Sequence, residues 1–72
     1  MITLADFNAL DKNAKAEVTW GGKFLADRKQ DDFKVQLYSL EKFYVEVFYD
    51  SVENRIIKVE AFEAINRLAL YF

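Results

Sequence analysis

The side chains best suited to act together as an acid and a base are the carboxylates of Glu46 and Glu60. They fall on two neighbouring predicted strands, where two carboxylates could share these roles. Lys34 and Lys58 are expected beside Glu46, however, and a carboxylate between two cations is a poor general acid. The sequence also lacks histidine and cysteine, which removes the commonest general base and the thiolate nucleophile. We therefore predict no catalytic residues and a protein that is not an enzyme.

Three short motifs could be taken for ligand-binding loops, but each is better explained as a connection. Residues 20–23, "WGGK", are too few for a phosphate-binding loop, and no serine or threonine follows the lysine. Residues 50–54, "DSVEN", lack the glycine and the alternating ligands of a calcium loop. Asp31 and Asp32 are typical of a turn. We expect neither a metal nor a cofactor. Trp20 is predicted to cover the end of the core, and its alternative role is a platform for a small ligand.

The charges argue against a nucleic-acid partner. The chain of 72 residues has a net charge of −2, with both signs mixed along its length. Basic and aromatic residues do alternate near the first predicted hairpin, a combination that can bind nucleic acid, but three aspartates neutralise that region. The residues concerned are Lys23, Phe24, Arg28, Lys29, Phe33 and Lys34, with Asp27, Asp31 and Asp32. We expect no nucleic-acid binding.

Length and hydrophobicity predict one small domain, residues 1–72, away from membranes. The apolar runs are far shorter than the roughly 20 residues of a membrane span. The first ten residues, "MITLADFNAL", have no basic region and carry Asp6, unlike a signal peptide. The expected location is the cytoplasm.

The first part of the chain predicts helix. Thr3 is a suitable N-cap with Asp6 three residues on, and Ile2 and Phe7 are spaced as a hydrophobic staple. Asp11 is a second suitable cap, so residues 4–19 could form one helix or two. The apolar positions Leu4, Phe7, Leu10, Ala14 and Val18 recur at helical spacing. Gly21 and Gly22 are expected to end the helix in the left-handed conformation.

From residue 23 the apolar period changes to two and predicts four strands, residues 23–28, 33–38, 42–49 and 55–61. Their short connections require antiparallel neighbours and hence a meander. The expected register places Val45 opposite Val35 and Val59, with Ala26 opposite Val35. It also forms a row of alternating charges on the other face, from Asp27 through Lys34 and Glu46 to Lys58. The predicted inward residues are Phe24, Ala26, Phe33, Val35, Leu37, Phe43, Val45, Val47, Ile57 and Val59.

The last part of the chain returns to helical spacing, with an apolar stripe at Phe62, Ile65, Leu68, Ala69 and Phe72. Two helices are needed to cover the width of four strands. The predicted fold is therefore α+β: a two-layer sandwich, αββββα, with an N-terminal and a C-terminal helix on one face of a four-stranded antiparallel meander.

In that fold the other face is uncovered, yet it carries aromatic residues. Tyr38, Tyr44, Phe48 and Ile56 are the predicted interaction surface. One interpretation is a solvated face whose rings shield the backbone; the other is a protein–protein surface, such as a symmetric homodimer or another protein partner. We predict a non-catalytic interaction or regulatory module that uses this face or an edge strand. The alternative is a small-ligand-binding domain with a pocket near Trp20, between helix and sheet.

Three stretches carry a resemblance to a known group of proteins. They are "WGGKFLADR", "LYSLEKFYVEVFYD" and "IIKVEAF". Together they resemble a family of small uncharacterised bacterial proteins that share a helical start, a Trp-Gly-Gly turn, paired strands and a closing helix. The resemblance spans roughly Leu4 to Phe72 and implies a complete domain. It brings no activity that could be transferred.

Overall fold

The computed structural model describes residues 2–63 and 65–71. Two α-helices come first, α1 (Leu4–Asn8) and α2 (Lys12–Trp20). Four strands follow, β1 (Lys23–Gln30), β2 (Phe33–Ser39), β3 (Tyr44–Asp50) and β4 (Arg55–Phe62). A 3-10 helix (Ile65–Leu70) closes the described chain.

The N-terminal segment forms two helices because each start has its own cap. The Thr3 hydroxyl accepts a hydrogen bond from the Asp6 amide at 3.1 Å, and the Asp11 carboxylate accepts one from the Ala14 amide at 2.8 Å. Each bond satisfies an amide that has no partner within its helix. Phe7 is fully buried in α1 and packs edge-on against Phe43, with 5.4 Å between ring centroids.

The four strands form one antiparallel sheet in the order β1-β2-β3-β4, which confirms the predicted meander. The predicted register between the two central strands was wrong, because Val35 lies opposite Phe48, three residues from Val45. The turn causes this difference: the Leu40 amide donates to the Phe43 carbonyl at 2.9 Å, which places the turn at Glu41 and Lys42. An odd shift moves every side chain of a strand to the other face of the sheet.

The outer registers differ from the prediction by two residues, and such a shift preserves the face. Ala26 lies opposite Leu37, and Val59 lies opposite Val47. Bulges interrupt the pairing at Leu25 in β1 and at Ile57 in β4. Ile57 therefore leaves the alternation that predicted it to face inward.

The sheet consequently has two apolar faces. We call the face that carries Val45, Val47 and Val59 the helix face, because it forms one buried cluster with Phe7 and Ala16 of the two helices. We call the opposite side the far face. Of the residues predicted to point toward the helices, Ala26, Phe33, Val35 and Leu37 lie on the far face.

The closing segment differs from the predicted α-helix in its type and its place. It is a 3-10 helix, and Tyr71 just beyond it donates a hydrogen bond to Glu46 on the far face at 2.8 Å. The reason is that β2 presents Val35 and Leu37 on the far face, next to Phe48, and this apolar surface needs its own cover. The fold is α+β with an antiparallel meander, but the helical segments do not all lie on one face. Phe72 of the predicted apolar stripe lies outside the described residues.

Candidate functional site

The four residues of the predicted interaction surface do not share a face. Tyr38 and Ile56 lie on the helix face, where both pack against the buried cluster. Tyr44 and Phe48 lie on the far face. Phe48 is buried and carries the Lys58 ammonium 4.4 Å from its ring centroid, and Tyr44 stacks on Phe62 at 5.7 Å. The odd register shift separates these pairs, so the surface predicted from the sequence does not exist as one patch.

The predicted charge row is also divided between the faces. Lys34 lies 3.9 Å from Asp27, as the row required, with both side chains about half exposed. Glu46 is fully buried on the far face and pairs instead with Arg28 at 3.0 Å. Lys58 forms its ion pair with Glu60 at 2.9 Å. Glu46 and Glu60 do lie opposite each other, but Glu46 is already paired with Arg28 and Glu60 with Lys58.

Arg28, Glu46 and Tyr71 form a polar cluster on the far face. Arg28 also stacks over the Tyr71 ring, with its guanidinium carbon 5.4 Å from the centroid. Burial raises the pKa of the Tyr71 hydroxyl, and its hydrogen bond to Glu46 raises it further. Burial disfavours the charge on Arg28, but its hydrogen bonds to Glu46 and Tyr71 outweigh this and raise its pKa. The cluster therefore holds a neutral tyrosine on a buried ion pair, an arrangement that fixes the end of the chain to the sheet.

An aromatic patch lies where α2 meets the sheet, and we define it as Trp20, Phe24 and Tyr38. Trp20 and Phe24 both pack edge-on against Tyr38, with centroids 5.4 and 5.6 Å away. Both are 48% exposed despite these contacts. The sequence predicted an inward Phe24, which is correct for its face. It could not show that α1 and α2 pack chiefly against β4 and leave the β1 side of that face open.

Gly22 allows this patch to form. A Cβ atom at Gly22 would lie 2.5 Å from the Leu40 side chain and 2.7 Å from the Ser39 carbonyl oxygen. Only glycine lets the end of α2 approach the turn between β2 and β3 so closely, and this approach places Trp20 on Tyr38. The expected left-handed glycine was wrong, because neither Gly21 nor Gly22 has a positive φ. Gly22 of the WGGK motif therefore allows the end of α2 to lie close to the turn between β2 and β3.

Strand β1 is one edge of the sheet, and most of its residues are exposed. We call its regular part beyond the bulge, residues 26–30, the open edge. Asp27 and Lys29 point to the helix face there, and Arg28 points to the far face. Lys29 lies directly opposite Lys34, and in the described part of the chain Asp27 is the carboxylate that pairs with Lys34. An edge strand presents unpaired amides and carbonyls, so a further strand could add here.

A groove of about 480 Å³ runs beside the patch. It is lined by Ile2, Gly21, Gly22, Ser39 and Leu40, among others. Trp20 precedes this lining in the chain but is not part of it. The predicted ligand platform and the groove are therefore neighbours and not one site.

No protein-family model, curated protein or solved structure matches the chain. The resemblance to small bacterial proteins stays a prediction. Over residues 2–63 and 65–71, none of the helices is both long and apolar enough to cross a membrane. Those same residues contain no group of three or more acidic side chains that could hold a metal ion.

Proposed function

We propose that this chain is a non-catalytic interaction module that binds another protein through the aromatic patch and the adjoining strand β1. The observation that supports this most is the exposure of Trp20 and Phe24, two large rings held against Tyr38 with about half of their surface in water. Tryptophan, tyrosine and phenylalanine are enriched at protein interfaces, and a few such anchors usually supply most of the binding energy.

The contacts within the patch favour binding because they fix the rings in advance. Trp20 and Phe24 both contact Tyr38, so the three side chains have little conformational freedom left to lose when a partner binds. A large aromatic side chain contributes about 150–250 Å² when it is fully buried. A specific interface needs about 800 Å² from each partner. The patch is thus too small alone, and the neighbouring edge strand would supply the remaining area.

The proposal retains the cytoplasmic location and an order in which helical segments precede and follow the four-stranded meander. It requires neither a cofactor nor a metal. The polar cluster on the far face has a structural role in it, because the Glu46 carboxylate is fully buried and engaged by Arg28 and Tyr71.

The test compares two sets of exposed apolar residues. Trp20→Ser with Phe24→Ser removes the patch, whereas Val52→Ser removes a residue that is 85% exposed in the turn after β3. We expect immobilised wild type and Val52→Ser to retain the same partner from cell extract, and the double variant to lose it. Circular dichroism of all three chains checks that they fold.

A purified partner then gives a quantitative measurement. Trp20 is the only tryptophan, so its emission reports directly on the patch. Binding should shift this emission to shorter wavelength as the ring leaves water. If the double variant keeps every partner, or if Trp20 emission stays constant through saturation, the patch is not the binding surface.

The groove beside Gly21 favours a second candidate function, the binding of a small ligand. Its volume lies within the range of about 300–1,000 Å³ that is typical of ligand pockets. Native mass spectrometry of the purified chain would detect a retained small molecule. If the spectrum shows only the mass of the chain without a ligand, under conditions in which the aromatic patch binds a protein, the first proposal is favoured.

A further inference from the structure

We infer that β1 pairs antiparallel with β1 of a second copy of this chain, about a twofold axis at Arg28, and joins two four-stranded sheets into one. The inference rests on the proposed function because it names a partner for the same edge strand. Twofold pairing uses one surface twice, so residue i meets residue j and j meets i. The strand must therefore be complementary to itself.

The geometry of β1 selects the axis. Opposite residues of a continuous antiparallel sheet share a face. A twofold axis must then pass through a residue and not between two. The bulge at Leu25 leaves residues 26–30 as the regular stretch, and Arg28 is its midpoint. An axis at Arg28 pairs all five of these residues, with Ala26 opposite Gln30 and Asp27 opposite Lys29 of the other copy. An axis at any other residue pairs fewer of them.

The charges also exclude the two axes next to Arg28. An axis at Asp27 or at Lys29 would place that residue opposite its own copy, and like charges directly opposite destabilise a sheet. The axis at Arg28 instead forms two Asp27–Lys29 pairs between the copies. Within one chain, Lys29 lies directly opposite Lys34, and Asp27 pairs with Lys34. The second copy adds a carboxylate where that group has an excess of positive charge.

Arg28 meets its own copy at the axis, but its charge is already compensated. Its guanidinium reaches Glu46 at 3.0 Å and the Gln30 side-chain oxygen at 2.7 Å, and its side chain is only 15% exposed. The ends of the strand add a further match. Lys23 begins β1, and the acidic turn Asp31–Asp32 follows it. Antiparallel pairing brings each lysine toward the acidic turn of the other copy, beside Phe24.

The decisive variant is Lys29→Asp. It places a second carboxylate opposite Asp27 of the other copy and should weaken the dimer by about tenfold or more. Within the chain it replaces two facing lysines by an opposite-charge pair with Lys34, so the monomer should stay as stable as before or become more stable. The double variant Asp27→Lys with Lys29→Asp restores opposite charges across the axis and should restore the dimer. Lys12→Asp makes the same change in net charge at an exposed position of α2 and should leave the dimer unchanged.

Sedimentation equilibrium from about 10 μM to about 1 mM measures all four chains, and thermal unfolding monitors the monomer. The inference fails if wild type is monomeric at about 1 mM, if Lys29→Asp associates as well as wild type, or if the double variant does not recover. If wild type is monomeric, and the Trp20→Ser, Phe24→Ser double variant no longer captures the partner that wild type captures, self-pairing is wrong but the proposed function stands. A dimer that forms while the patch variant retains every partner would support self-pairing and overturn the proposed binding by the patch.

Discussion

At the scale of single residues, Glu46 shows how one buried charge depends on its neighbours. It is fully buried, and Arg28 and Tyr71 both bind the same carboxylate oxygen. Removing one partner of a buried pair typically costs about 3–5 kcal/mol, because the other charge stays behind without compensation. We expect Glu46→Gln to reduce the free energy of unfolding by that amount in a denaturant titration. Arg55→Gln breaks the exposed pair with Glu53 and should cost under about 1 kcal/mol. Equal losses would contradict the burial of Glu46.

Tyr71 predicts how stability responds to alkaline pH. Burial, together with its bond to Glu46, raises its pKa in the folded state, so the unfolded chain loses this proton first. The folded state then binds more protons above about pH 10, and the free energy of unfolding must fall as pH rises through that range. Burial also raises the pKa of Tyr38, so part of the fall should remain in Tyr71→Phe. Denaturant titrations between about pH 9 and 11 compare this variant with wild type, and identical slopes would show that Tyr71 does not contribute.

At the scale of the elements, the junction between α2 and β1 depends on one of its two glycines. Gly22→Ala must displace both the Leu40 side chain and the Ser39 carbonyl, and overpacking of this kind costs about 1–3 kcal/mol. Gly21 has an ordinary φ of −81° and room for a methyl group, with the Val18 carbonyl oxygen 3.4 Å away. Gly21→Ala should therefore be neutral or stabilise by about 0.4–1 kcal/mol. Thermal unfolding of both variants tests the contrast, and a harmless Gly22→Ala would exclude the close approach.

The elements also show what the sequence could and could not predict. The caps at Thr3 and Asp11, the four strands and the meander follow from local signals. The central register does not, because β2 and the turn after it carry apolar residues on both faces: Val35 and Leu37 on one, Tyr38 and Leu40 on the other. Either face could then be taken as the inner one, and the apparent charge row fitted the wrong choice. The sequence indicates Trp20 and Tyr38 separately as candidate binding residues, but their contact depends on where α2 packs, and no local pattern encodes that.

At the scale of the whole molecule, a short chain has built a sheet with two apolar faces. Val35, Leu37 and Phe48 are buried on the far face, and among the described elements the C-terminal segment is the one that reaches that side, through Tyr71. Burial of a large apolar side chain contributes about 1.5–3 kcal/mol, so these three account for about 4.5–9 kcal/mol. A domain of this size has only about 4–11 kcal/mol in total. Exposing these three side chains would therefore remove most of the net stability of the domain.

Shortening the chain after Glu63 should therefore destabilise the whole fold. The truncated protein would expose much of the far face and leave the Glu46–Arg28 pair in water without Tyr71. We expect the cooperative thermal transition to disappear and a dye that binds exposed apolar surface to become fluorescent, since the strands and the helix-face core remain available for a loose state. Leu70→Ser changes an exposed residue of the same segment and should shift the melting temperature by only a few degrees. If the truncated chain melted cooperatively near the wild-type temperature, the helix face alone would stabilise the fold, and the C-terminal segment would be an accessory that a partner could displace.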